Sequence, residues 1–149
     1  MNAATLCTRE VATCDPHTSI VEAAARMRAL HAGDLVVVQE KEGVRVPLGV
    51  LTDRDIVLAV VSPDAEAGEL YAGDVMSTPA WIAEGADDVW LLARRMRLHG
   101  VRRLPVVGED GGLIGIVSLD DLLHAAASLL DELRLVAARQ PHLEEKRRA

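Results

Sequence analysis

The sequence predicts an α/β (α+β) fold in which two tandem β-α-β-β-α repeats pack about an approximate twofold axis into one module. Three observations carry this. The chain of 149 residues matches itself when displaced along its own length. Each matching copy alternates apolar segments of helical period with short β-branched runs. A copy of roughly 60 residues buries too little surface to be comfortably stable alone, so the two must share a core.

The self-match is specific. Displacement by 69 positions lays Thr5-Leu6-Cys7-Thr8 on Asp74-Val75-Met76-Ser77, Ile20 on Val89, Ala24 on Ala93, Arg26 on Arg95 and Met27 on Met96. The same displacement lays Leu35-Val36-Val37-Val38 on Leu104-Pro105-Val106-Val107. After a loop three residues longer in the first copy, the displacement falls to 66. Gly49-Val50-Leu51-Thr52-Asp53-Arg54-Asp55-Ile56 then lies on Gly115-Ile116-Val117-Ser118-Leu119-Asp120-Asp121-Leu122. The copies span 5–62 and 74–131, with a linker at 63–73 and a helical extension and tail at 132–149.

Each element follows from local pattern. Residues 11–13 form a short extended stretch. Ile20, Ala23, Ala24, Met27 and Leu30 repeat at helical spacing, and Thr18 or Ser19 supplies an N-cap, so a helix with one buried face is expected. Residues 35–38 and 46–51 read as adjacent strands joined through the polar turn Glu40-Lys41-Glu42-Gly43. A second helix begins at the Thr52-Asp53 boundary and runs through Ile56 and Leu58 toward Val61, followed by a linker at 62–68. The second copy repeats the series: an extended stretch at 81–83, a helix over 89–99, strands at 104–107 and 113–117 around a turn at 108–112, and a helix from Asp120. Leu133, Leu135 and Val136 extend that last helix toward a partner, and the charged end Glu144-Glu145-Lys146-Arg147-Arg148 is expected to fray.

Composition excludes several functions. There is no Phe, one tyrosine and two tryptophans, so the core must be aliphatic. A net charge of −7, with scarcely an aromatic to stack on bases, argues against nucleic acid as a partner. No apolar run approaches the roughly 20 residues that span a bilayer, and no basic segment followed by an apolar one opens the chain, so a soluble, cytoplasmic protein without a membrane role is expected. Cys7 and Cys14 form no CxxC and read as small buried hydrophobes. The five histidines lack metal-ligand spacing, and nothing completes a coordination shell around Asp53-Arg54-Asp55 or Asp120-Asp121, so no metal is expected. Stacking on a ligand is open to Trp81 and Trp90, and core or interface packing is the preferred reading of both. No nucleophile–base pair or phosphate-binding glycine loop appears, and no catalytic residue is expected.

One chemical pattern is duplicated. In Gly49-x-x-Thr52-x-x-Asp55 and Gly115-x-x-Ser118-x-x-Asp121, a hydroxyl and a carboxylate sit three apart at a strand-to-helix junction. Free backbone N–H groups and the positive end of the helix dipole point the same way. A carboxylate can accept from two vicinal hydroxyls while the hydroxyl and amides meet phosphate oxygens, which makes a nucleoside-phosphate cradle. The same spacing is also the ordinary helix cap, and both roles are open.

The β-α-β-β-α repeat, the Leu-Pro-Val-Val strand at 104–107 and the two endings Gly-Val-Leu-Thr-Asp-Arg-Asp-Ile and Gly-Ile-Val-Ser-Leu-Asp-Asp-Leu resemble tandem cystathionine-β-synthase (CBS) domains, the pair called a Bateman module. The resemblance covers roughly 5–131. It implies that Thr52 and Asp55 mark one adenosine-ligand site and Ser118 and Asp121 another, the acids taking ribose hydroxyls. It implies an aliphatic adenine slot near Val11, Thr13, Val50, Ile82 and Ile116. AMP, ADP or ATP is the ligand it favours, with S-adenosylmethionine or NAD as alternatives, no obligatory cofactor, a homodimer and a separate regulated protein. The rival is a structural, protein-interaction module whose sites are vestigial. Arg95 and Arg97 match Arg26 and Arg28 and read as scaffold. Arg102 and Arg103 replace Gly33 and Asp34 of the first copy; phosphate contact and a surface ion pair are both open to them, as to Arg54.

Overall fold

The computed structural model describes residues 1–148, leaving Ala149 outside; of the charged end, the side chains of Glu144 and Arg148 are also outside the described set. The first copy contains α1 (Ala3–Leu6), β1 (Thr13–Cys14), α2 (Ile20–Leu30), β2 (Asp34–Lys41), β3 (Val44–Thr52) and α3 (Asp53–Ile56), the last prolonged by a π-helical turn, Val57–Val61. The second contains α4 (Ala72–Val75), β4 (Ala83–Glu84), α5 (Val89–His99), β5 (Arg103–Val107), β6 (Leu113–Ser118) and α6 (Leu119–Arg148). Each copy makes a three-stranded sheet, ordered β1-β2-β3 and β4-β5-β6. The first strand pairs parallel with the second and the second antiparallel with the third.

Side chains explain the helix limits. In α2 the Ser19 hydroxyl, rather than Thr18, accepts the Glu22 N–H at 3.2 Å, and Ile20, Ala23 and Met27 face the core. Thr18 is buried, and its hydroxyl accepts the Asp15 N–H instead. In α5 Asp88 accepts from the Leu91 N–H at 2.9 Å while Leu92 and Met96 are buried. The helices stop at equivalent positions, His31 and Gly100, both in the left-handed region with φ of 51° and 64°. The leading strands, Thr13–Cys14 and Ala83–Glu84, begin later than the extended stretches at 11–13 and 81–83; Val11, Ala12 and Trp81 before them line cavities between the copies. The end expected to fray is helical as far as Arg148. Residues 119–140 hold neither glycine nor proline and are rich in Leu and Ala, residues little penalised in a helix.

The copies are interlocked. Ala3, in α1 of the first copy, is fully buried in the second copy's core beside Ala83, Leu92, Leu104 and Val117. Reciprocally, Ala72 of α4 is buried in the first copy's core beside Ile20, Leu35, Val37 and Leu51. Each short helix is pinned by matching bonds: the Ala3 N–H donates to the Asp87 carbonyl, and the Ala72 N–H to the Thr18 carbonyl, both at 2.8 Å. Beyond each helix the chain crosses the other copy's third strand, pairing Thr8 with Ile116 and Ser77 with Val50. Those crossings need glycine. A Cβ on Gly49 would lie 2.6 Å from both the Ser77 carbonyl oxygen and Met76 Sδ, and one on Gly115 would collide with Cys7 Sγ.

Candidate functional site between the copies

The crossings leave two clefts where the copies meet. Cleft one is a cavity of about 560 Å³, within the roughly 300–1,000 Å³ of small-molecule sites. The first copy supplies Gly33, Asp34, Val50, Thr52, Asp53 and Arg54 to it, and the second supplies Ser77, Pro79, Ala80, Trp81, Gly100, Val101, Arg102 and Arg103. Cleft two, about 340 Å³, is lined by Glu10, Val11, Ala12, Leu30, Ala32, Asp34 and Ile116. Val50 and Ile116 are equivalent under the duplication, so each cleft takes one wall from a third strand and the opposite wall from the other copy.

Not all residues singled out from the sequence come together. Val50, Thr52, Arg54, Arg102 and Arg103 line cleft one, and Val11 and Ile116 line cleft two. Asp55, Ser118 and Asp121 belong to neither lining and make capping bonds. Asp55 Oδ2 accepts the Thr52 N–H at 2.8 Å, and Thr52 Oγ1 accepts the Asp55 N–H at 3.1 Å. Asp121 Oδ2 accepts both the N–H and the hydroxyl of Ser118 at 2.7 Å. Thr13 and Ile82 lie outside both linings; their carbonyls accept bonds from Arg26 and Arg95, at 3.1 and 3.0 Å, so this matched arginine pair ties each helix to its leading strand.

The arginines before β5 differ in their freedom. Arg102 reaches Asp120 only at 4.0 Å, with both side chains at least three-quarters exposed, so its guanidinium is held weakly. Arg103 pairs with Asp34 at 3.0 Å, and the acid is only 12% exposed. Burial, with the Asp53 charge adding to it, outweighs the attraction of Arg103 and raises the Asp34 carboxyl above the usual aspartate range. Asp34 and Arg103 are equivalent positions of the two copies, so the pair bridges the approximate twofold axis.

Two participants escaped the sequence reading, and for a third, Trp81, the alternative it passed over fits better. Asp34 lines both clefts and Asp53 lines cleft one. Trp81 is not a core residue: it is 44% exposed, lines cleft one and stacks on His99 with ring centroids 3.5 Å apart and an 8° interplanar angle. Trp90 is 85% exposed and likewise absent from the core. The available signal for Trp81 was its position opposite Ala12, beside the expected aliphatic slot.

Fold and clefts together define a duplicated α/β module with paired inter-copy cavities. The CBS domain matches twice, over residues 3–62 and 72–128. An uncharacterized protein of Methanopyrus kandleri is 38% identical over 122 residues, 82% of this chain, and the chain spans 61% of that relative's length. The CBS domain-containing protein YhcV of Bacillus subtilis is 37% identical over 117 residues, covering 77% of this chain and 78% of its own. Among solved structures, a CBS domain protein of Pyrobaculum aerophilum complexed with AMP superposes with a TM-score of 0.76 at 25% identity, covering 88% of this chain and 97% of that one. This chain belongs to the CBS domain family, with the domain in tandem. Among the described residues, no helix is long and apolar enough to cross a membrane.

Proposed function

We propose that the chain is a non-catalytic regulatory module that binds an adenosine-containing ligand, AMP, ADP or ATP, between its two copies and signals occupancy to a separate protein. The observation that carries this is the make-up of cleft one. A cavity of about 560 Å³ is lined by apolar Val50, Ala80, Val101 and Trp81 and by polar Thr52, Arg54, Arg102 and Arg103, with Asp34 and Asp53 beside them. Apolar surfaces suit a purine; guanidinium groups suit phosphate, which they can meet in bidentate fashion. The AMP complex of the Pyrobaculum relative supports the choice of ligand.

In this reading Asp55 and Asp121 retain their caps through Oδ2 and offer Oδ1 to vicinal ribose hydroxyls. Exposed apolar side chains at Val57, Leu58, Val61, Trp90 and Leu130 supply the surface for self-association into a homodimer. A second reading, a structural module with vestigial sites, is favoured by one observation: both carboxylates are already engaged as helix caps.

Calorimetric titration with AMP, ATP, adenosine, S-adenosylmethionine and NAD separates the two. Arg102→Ala or Arg103→Ala should weaken AMP and ATP by about ten- to a hundredfold and leave adenosine nearly unchanged, as expected for loss of a charged hydrogen bond of about 1.5–3 kcal/mol. Asp55→Ala should weaken adenosine and AMP alike. Asp53→Ala doing so instead would move the ribose contact to Asp53, and no binding by any of the five would favour the structural module.

A further inference from the structure

The duplication allows the two clefts to be compared position by position, and their charges are opposed. Arg102, Arg103 and Arg54 of cleft one correspond to Gly33, Asp34 and Asp120 in the other half. Among the described residues, cleft one is lined by three arginines and two aspartates; cleft two is lined by Glu10 and Asp34 and by no cation. Asp34 belongs to both linings. It is nearly enclosed, and its cationic partner Arg103 lines cleft one and not cleft two.

Resting on the ligand class proposed above, we infer that a phosphate-bearing nucleotide occupies cleft one alone, one anion per chain, and that Asp34 is the residue that closes cleft two to anions. Like charges brought together in a partly desolvated wall repel, and no lining cation of cleft two offsets Glu10 and Asp34. Occupancy strengthens the effect. Arg103 spends part of its donor set on Asp34; a phosphate in cleft one competes for that guanidinium and leaves the carboxylate less compensated where it faces cleft two. The inter-copy ion pair therefore makes binding of a first anion count against a second.

The test uses the full chain with labelled methyl groups. Val50 and Val101 report cleft one; Val11 and Ile116 report cleft two. AMP should move the first pair at concentrations at least tenfold below those that move the second, whereas adenosine should show no such separation. The exchange Asp34→Arg with Arg103→Asp preserves an ion pair across the axis and should narrow or reverse the order for AMP. If the exchanged chain does not fold, Asp34→Asn alone should bring the cleft-two response to within a few-fold of cleft one.

AMP moving both pairs at the same concentration, an equal separation for adenosine, or an order unchanged in both variants would overturn the role of Asp34 while leaving nucleotide binding intact. AMP moving neither pair would overturn the ligand class as well.

Discussion

Replacing Gly49 or Gly115 by alanine probes the crossing that builds both clefts. At Gly49 the added methyl would stand 2.6 Å from a backbone oxygen, Ser77 O, as well as from Met76 Sδ. A side chain could rotate away, but the carbonyl cannot, because the Ser77 N–H and carbonyl are both bonded to Val50, at 2.9 and 3.1 Å. Overpacking of this kind costs about 1–3 kcal/mol. Alanine recovers roughly 0.4–1 kcal/mol by restricting the unfolded chain; because the contact is with a fixed carbonyl the overpacking cost falls in the upper half of its range, about 2–3 kcal/mol, and the net loss is about 1–2.6 kcal/mol. For a chain of this size, that lowers Tm by roughly 2–10 °C. Gly68→Ala is the internal control: its Cβ meets nothing within 4 Å, and its expected change is neutral to slightly stabilising. Urea and thermal unfolding of the three variants measure the differences. Val50 and Ser77 line cleft one and Ile116 lines cleft two, so Gly49→Ala should also weaken a ligand of cleft one more than Gly115→Ala does. Variants at 49 and 115 as stable as Gly68→Ala would refute the claim that close backbone approach holds the copies together.

Two further outcomes follow from ionisation. Burial pushes the Cys14 thiol up to about 11, so at pH 8 its alkylation should be on the order of a hundredfold slower than that of an unfolded-chain thiol; mass-spectrometric labelling at rates near the unfolded value would contradict its enclosure. Asp34 is raised, so between the ordinary aspartate value and its own value the folded chain binds more protons than the unfolded one, and stability falls as pH rises through that window. Wild type should therefore gain stability relative to Asp34→Asn on acidification into the window. The opposite trend in paired unfolding curves would show that attraction to Arg103 outweighs burial.

The parts of the fold legible in the sequence were those governed by local pattern. The helical spacing from Ile20 to Met27 and the glycine-bearing turn at Glu42-Gly43 specify their elements without help from distant residues. The short helices were not legible as elements exchanged between copies. Ala3 and Ala72 are fully buried, yet an alanine in a four-residue helix carries no mark of which core receives it. The site was legible where chemistry sits on a repeated motif, as at Thr52, or where the copies differ, as at Arg102 and Arg103. Asp34 was visible only as the residue opposite Arg103, because its importance arises from a 3.0 Å approach across 69 positions of chain.

The Asp34–Arg103 bridge also sets a limit on the symmetry of the module. Were the two copies exact repeats, equivalent positions that meet at the axis would carry the same side chain, and like charges would face each other there. The copies differ at this position, so an ion pair stands where exact repetition would put two aspartates or two arginines. The contact that joins the halves is thus the one that makes them inequivalent.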